Sequence, residues 1–167
     1  MAGGFWRSLF RPPPLGGVKL DHSRAWVVPA PPWPIQLALA LRVLLTEDGV
    51  VALEGLSIHA DVKQLLQSHL VSPQLEIRPS TAYPTSQWLH VRATTDALTR
   101  LSELVNSFAG PEVCDHLYGY EDGTLLLEWH DAFSDPIYVA RSVSPAVIAA
   151  FCSALGVGPG KLPTSGG

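Results

Sequence analysis

Cysteine is scarce in this chain, and its scarcity removes two classes of small protein. Only Cys114 and Cys152 occur among the 167 residues. Two cysteines are too few for a disulfide framework, and they lack the close spacing of a zinc knuckle. We therefore expect two buried, reduced thiols, with a single bridge between them as the open alternative.

Charged residues are also few, and the positive ones do not form a block. Asp, Glu, Lys and Arg make up 16% of the chain, and its formal net charge is -4. A protein that follows a nucleic-acid backbone needs clustered positive charge. The composition therefore argues against DNA or RNA as a partner.

No apolar run is long enough to span a membrane. The longest, residues 35–45, contains Gln36 and Arg42 and reaches only about half of the ~20 residues that a spanning helix needs. Near the start of the sequence, Arg7 and Arg11 interrupt the apolar residues, so we expect no signal peptide. These absences predict a cytoplasmic protein without a transmembrane segment.

Apolar residues suffice for one core, since 47% of the chain is hydrophobic. Residues 1–17 combine an aromatic and arginine-containing arm with a proline-rich linker. Residues 18–155 carry the regular patterns of a single domain. The Gly-, Pro- and Ser-rich residues 156–167 predict a flexible tail.

The hydrophobic spacing predicts an α+β domain. Helical spacing occurs at 35–45, 61–69, 96–108 and 144–155, and strand-like runs occur at 24–28, 49–55, 75–78, 88–92 and 137–140. We expect a mixed or largely antiparallel sheet with helices packed on it. The helix at 35–45 is apolar nearly all round and should be buried. The expected core comprises Leu37, Leu41, Leu44, Leu53, Leu101, Leu127 and Phe151.

Asp122-Gly123 lies between two apolar and aromatic runs and predicts a two-residue turn between strands 116–121 and 124–129. A regular ladder would pair Tyr118 with Leu127, and His116 with Trp129. The alternation of side chains would then place six residues on one face of the hairpin. They are His116, Tyr118, Tyr120, Leu125, Leu127 and Trp129.

Acidic and imidazole side chains collect at the open end of this hairpin. They are Asp115, His116, Glu128, His130, Asp131 and Asp135. Such groups suit a general base or a divalent metal site. A regular ladder, however, places His116 and His130 on opposite faces, where both cannot reach one metal without a bulge. We therefore predict a structural role, with no metal and no cofactor, in which Asp115 and Asp131 cap turns and hold the histidines.

Other polar residues give weaker signals. Ser57, His59 and Asp61 follow the strand predicted at 49–55 and lack a phosphate-loop glycine pattern, so we interpret Ser57 and Asp61 as helix-start residues. His22, His69 and His90 are isolated in the sequence. We assign them no chemistry.

The arm offers a different kind of site. If it is helical, Phe5, Trp6, Leu9 and Phe10 form one apolar face that is too short to be stable without a surface to bind. We predict that these residues bind another protein, although docking onto the arm's own domain is an equal alternative. Our first hypothesis is a non-enzymatic interaction domain, either an accessory subunit or an immunity-type binding protein. The alternative is a small hydrolase or metal-dependent enzyme that uses the acid and histidine cluster of the hairpin.

Three stretches resemble a group of small, uncharacterised bacterial proteins. They are LEGLSI at 53–58, CDHLY at 114–118 and LEWHDAFSDPIY at 127–138. The resemblance covers most of residues 45–155. It implies a bacterial cytosolic domain and assigns no role to any residue.

Overall fold

The computed structural model describes residues 16–81 and 85–163, and it confirms the α+β prediction. The strands are β1 (Trp26–Val28), β2 (Val50–Gly55), β3 (Gln87–Arg92), β4 (His116–Glu121), β5 (Thr124–Trp129) and β6 (Ile137–Val139). The helices are α1 (Leu37–Leu44), α2 (Ala60–Leu66), α3 (Thr95–Ser107), α4 (Gly110–Val113) and α5 (Pro145–Leu155). Within these ranges the strands form one sheet in the order β1-β6-β5-β4-β2-β3, and each neighbouring pair is antiparallel.

Local capping explains where two of the predicted helices begin. The hydroxyl of Thr94 accepts from the Ala97 N–H at the start of α3, and Ser144 does the same for Val147 at the start of α5. Each bond satisfies a backbone donor that has no partner inside the helix. Pro145 then occupies the first turn of α5, where a missing N–H costs nothing.

One face of the sheet is covered by helices and holds the main core. Six of the seven predicted core residues are at most 2% exposed, namely Leu37, Leu41, Leu53, Leu101, Leu127 and Phe151. Leu44 is partly buried and packs against the edge of this core, because the extended chain after α1 turns Leu45 inward. The prediction was wrong that α1 is buried all round, since Leu39 is 58% exposed on the side away from the sheet.

The opposite face is covered by loops. Its smaller core comprises Val50, Ala52, Ile77, Tyr118, Tyr120 and Leu125. The strand predicted at 75–78 forms only a single parallel bridge, in which Val18 and Ile77 pair. Gly17 makes this pairing possible: its φ is +102°, and a Cβ there would lie 2.6 Å from the Arg78 nitrogen. The N-terminal loop and the loop containing Arg78 are thereby held side by side.

The hairpin forms with the predicted two-residue turn. Asp122 and Gly123 have φ values of +49° and +70°, and Glu121 pairs with Thr124. A β-bulge follows, because Tyr120 pairs with Leu125 whereas Gly119 pairs with Leu127. The additional residue on β5 shifts the register of every later pair by one.

The bulge overturns the predicted pairs and the predicted face. Tyr118 lies opposite Glu128 rather than Leu127, and Trp129 lies opposite Leu117 rather than His116. Leu127 and Trp129 therefore pack under the helices, away from Tyr118. Because side chains alternate along a strand, one additional residue exchanges the two faces beyond it. His116, Tyr118, Glu128 and His130 consequently share the loop-covered face.

The two cysteines agree with the expectation of reduced thiols, since Cys114 and Cys152 are both buried and free. Lys161 pairs with Val27 through two backbone hydrogen bonds, so this part of the segment 156–163 contacts the edge of the sheet. Within the described ranges, none of the helices combines the length and apolar character that crossing a bilayer requires. The predicted partner-binding residues Phe5, Trp6, Leu9 and Phe10 lie outside the described residues.

Candidate functional site

A polar cavity of about 340 Å³ opens on the loop-covered face, beside the end of β5. It is lined by Lys19, His22, Arg78, Pro79, Ser80, Glu128 and His130. Three parts of the chain meet there: the loop before β1, the loop before β3 and the end of the hairpin. The cavity thus depends on the pairing of Val18 with Ile77 and on the hairpin register.

Glu128 is the centre of the site. It is 1% exposed, and its Oε2 lies 2.5 Å from His22 Nε2 and 3.1 Å from His130 Nε2. One nitrogen from each histidine and one oxygen from Glu128 all lie within 4.8 Å of one another. Two imidazole nitrogens and a carboxylate oxygen therefore converge on one point at the cavity wall.

Each of these three side chains is also held from its other side. Glu128 Oε1 accepts a 2.7 Å hydrogen bond from the Leu20 N–H. His130 Nδ1 lies 2.8 Å from the Ser80 hydroxyl, and the His22 ring stacks on Tyr138 with a centroid separation of 3.9 Å. The orientation of all three groups is thus set by contacts outside the point of convergence.

A second set of hydrogen-bonded side chains extends inward from Ser80. Its hydroxyl lies 2.9 Å from the Tyr118 hydroxyl, which donates a 2.7 Å hydrogen bond to Glu54 Oε2. Glu54 is fully buried in β2 and also accepts from the Ser80 and Thr81 N–H groups and the Ser86 hydroxyl. A continuous set of hydrogen bonds therefore joins this buried carboxylate to His130.

Two pKa shifts describe the electrostatics of the site. Burial by itself raises the pKa of Glu128, but hydrogen bonds from His130, the Leu20 N–H and His22 outweigh it and hold the pKa below its ordinary value. Burial raises the pKa of Tyr118, and its bond to Glu54 raises it further. The cavity therefore presents an ionised Glu128, while Tyr118 remains a neutral donor.

The predicted hairpin residues divide between this site and a neighbouring one. Glu128 and His130 belong to the cavity. His116 is buried beside it, with its ring 5.4 Å from that of His130, and its Nδ1 accepts from the Asp131 N–H. The Asp115 carboxylate accepts from the Leu56 N–H. Asp115 and Asp131 line a separate cavity of about 480 Å³, so neither carboxylate joins the three converging groups.

His22 is the site residue that sequence reasoning missed. It is 106 residues from Glu128 and lies in a loop between Gly16 and β1. A lone histidine in a loop has no periodicity or spacing that indicates its partner. Only the bridge between Val18 and Ile77, together with the bond from Leu20 to Glu128, places it at the cavity.

Comparison with known proteins finds no matching family model, no similar curated protein and no similar solved structure. The bacterial resemblance suggested by the sequence therefore gains no support. The function is therefore inferred from the geometry of the site.

Proposed function

We propose that this protein is a metal-dependent enzyme that binds one divalent transition-metal ion through His22, Glu128 and His130. The proposal rests on the convergence of two imidazole nitrogens and one carboxylate oxygen within 4.8 Å at a cavity wall. Two histidines with one carboxylate form a recurrent set in catalytic zinc centres and in non-haem iron centres.

The contacts around the three side chains support the proposal. Histidine ligands in metal sites usually bond their second ring nitrogen to another group, which orients the ring. His130 does so through Ser80, and Glu128 is oriented in the same way through the Leu20 N–H.

Three protein ligands leave a coordination position for water or substrate. Structural zinc sites fill all four positions with protein side chains, whereas catalytic sites keep one open. His22 and His130 are partly exposed to the cavity, so the open position would face solvent. A zinc ion bound here would lower the pKa of its water ligand toward the value near 7 found in catalytic zinc sites, and would so supply hydroxide at neutral pH.

The first experiment measures metal binding by the full chain. Protein stripped with a chelator is titrated with Zn²⁺ by calorimetry, and its metal content is measured after dialysis. We expect one ion per chain. At about a hundredfold excess over Kd, binding adds about 2.7 kcal/mol to the free energy of unfolding, which raises the Tm by roughly 5–10 °C for a domain of this size.

Variants identify the site. Glu128→Gln and His130→Ala should each lower zinc affinity by at least the roughly tenfold that loss of even an outer-shell partner costs. His59→Asn is the matched control, because His59 is a partly exposed histidine that caps the start of α2, and Asn can also cap a helix. Loss of zinc binding in this control, or full zinc binding in Glu128→Gln, would contradict the proposed site.

Cobalt tests the open position. Co²⁺ in place of zinc gives visible absorption bands that respond to its ligands, and azide is a small exogenous ligand. Azide should change these bands if a position is open. An unchanged spectrum in a protein with one bound Co²⁺ would indicate a closed, structural site.

A further inference from the structure

We infer that the substrate of this site is a small phosphate ester, whose phosphoryl group is bound by Lys19 and Arg78 beside the metal. The inference rests on the proposed metal centre and extends it to a substrate class. Both side chains line the same 340 Å³ cavity as His22, Glu128 and His130.

The backbone brings these two cationic residues together. The Val18 N–H donates to the Glu76 carbonyl, and the Arg78 N–H donates to the Val18 carbonyl, with distances of 2.8 and 2.9 Å. Lys19 and Arg78 thus follow directly on two paired positions, Val18 and Ile77. Because a side chain at Gly17 would clash with the Arg78 backbone, this close approach is built into the chain.

Lys19 and Arg78 bring two positive charges to the cavity wall. Among residues 16–81 and 85–163, no carboxylate lies within 4 Å of the charged atoms of Lys19 or Arg78. Among the described residues, the one carboxylate in the cavity wall is Glu128. The wall therefore carries two positive side chains against one negative one even without a metal, although the whole chain carries a net charge of -4.

The size and chemistry of the cavity favour a phosphoryl group on a small molecule. Its volume lies at the lower end of the roughly 300–1,000 Å³ typical of small-molecule sites. Arginine binds phosphate oxygens in pairs, lysine adds a point charge, and a metal ion neutralises a third oxygen. Carboxylates carry a single charge on two oxygens, and would leave one of these three positive groups without a partner.

The reaction that follows is hydrolysis of the ester. An oxygen from water forms a bond to phosphorus as the phosphorus–oxygen bond to the alcohol breaks. The water loses a proton and the leaving alcohol gains one. Ester and water are thereby converted to alcohol and inorganic phosphate, with no redox change and no further reactant.

The experiment uses inorganic phosphate as the binding probe and p-nitrophenyl phosphate as the reporter of hydrolysis. The zinc-loaded full chain is titrated with phosphate by calorimetry. Arg78→Gln and Lys19→Gln should each weaken phosphate binding about tenfold or more, because each removes a charged hydrogen bond. Both variants should still bind one zinc ion. Arg42→Gln, which changes an exposed arginine on α1, should bind phosphate as the wild type does.

The outcomes separate this inference from the proposed function. One bound zinc with no phosphate binding, or with equal binding by wild type and Arg78→Gln, overturns the phosphate inference and leaves the metal site standing. Phosphate binding that depends on Arg78 in a protein that takes up no zinc overturns the metal site and retains the anion site. Binding of phosphate without hydrolysis of the reporter by the zinc-loaded protein overturns the assigned reaction.

Discussion

Buried polar side chains on the loop-covered face are satisfied in groups rather than singly. Glu54 accepts four hydrogen bonds, and Glu128 accepts three. A buried carboxylate without such partners is strongly destabilising. Most of the partners come from loops distant in sequence, so the loops and the carboxylates stabilise one another.

The buried side chain of His90 leads to a prediction about how the stability of the protein depends on pH. It is 8% exposed, its Nδ1 lies 3.0 Å from the Tyr120 hydroxyl, and burial lowers its pKa below the ordinary value of 6.5. As the pH falls below 6.5, the unfolded chain takes up a proton before the folded chain does. His90 should therefore contribute stability above pH 6.5 that is lost as the pH falls through the lower folded pKa.

Urea unfolding at pH 7.5 and pH 5.0 measures this contribution. The free energy of unfolding should fall more steeply with acidification in the wild type than in His90→Gln, which can still bond to Tyr120 but does not titrate. His59→Asn is the control, since it removes a histidine that lies outside the core. Parallel profiles for wild type and His90→Gln would show that His90 takes up its proton equally in both states.

The hairpin turn matters at the element scale because it sets the register of β4 and β5. Both turn residues have positive φ, which suits the twist of a two-residue hairpin. An Ala side chain at Gly123 would meet no atom within 4 Å. Any effect of adding it therefore comes from the backbone conformation alone.

Gly123→Ala should cost about 1–2 kcal/mol in the free energy of unfolding, the usual penalty for a side chain in the left-handed region. Gly158→Ala is the control, since its Cβ also meets nothing within 4 Å and its φ is not positive. Denaturant unfolding of both variants checks the prediction. An equal loss in the two variants would show that backbone strain at the turn is not the cause.

At the scale of the whole molecule, the sheet separates two unlike layers. Helices cover one face with a large apolar core, and loops cover the other with a smaller core and the polar cavity. Apolar packing of the helical layer provides most of the driving force for folding. Because the main apolar core lies under the helices, the loop-covered face can contain buried polar side chains.

Leu127→Ala tests the helical layer. Leu127 is 1% exposed between the sheet and the helices, so its truncation leaves a cavity and should cost roughly 2–5 kcal/mol. Leu39→Ala on the solvent side of α1, where the side chain is 58% exposed, should cost far less. A loss below about 1 kcal/mol for Leu127→Ala in denaturant unfolding would contradict this packing.

The arm is the other feature at this scale. The prediction that residues 5–10 bind a partner protein lies outside the described residues and stays a prediction. Deletion of residues 1–14 should abolish a complex that co-purifies with the full chain while leaving its Tm unchanged, because aromatic anchors often dominate interface energies. A lower Tm in the deletion would instead indicate that the arm packs on its own domain.

Local patterns in the sequence determined most of the elements. Helical spacing predicted α1, α2, α3 and α5 to within a few residues, because each buries one apolar stripe. The Asp-Gly pair predicted the turn, because positive φ is a property of those residues themselves. The four-residue α4 and the loss of a strand at 75–78 were missed, since neither depends on a periodic pattern.

Only the tertiary structure decided the faces of the hairpin and the composition of the site. The bulge at Leu126 depends on the simultaneous packing of β5 against β4, β6 and the helices, which no local pattern encodes. It brings Glu128 and His130 to the face of Tyr118. His22 reaches them through a bridge between segments about 60 residues apart, Val18 and Ile77. Elements follow from local spacing, whereas a site built from distant loops exists only once the sheet has placed them together.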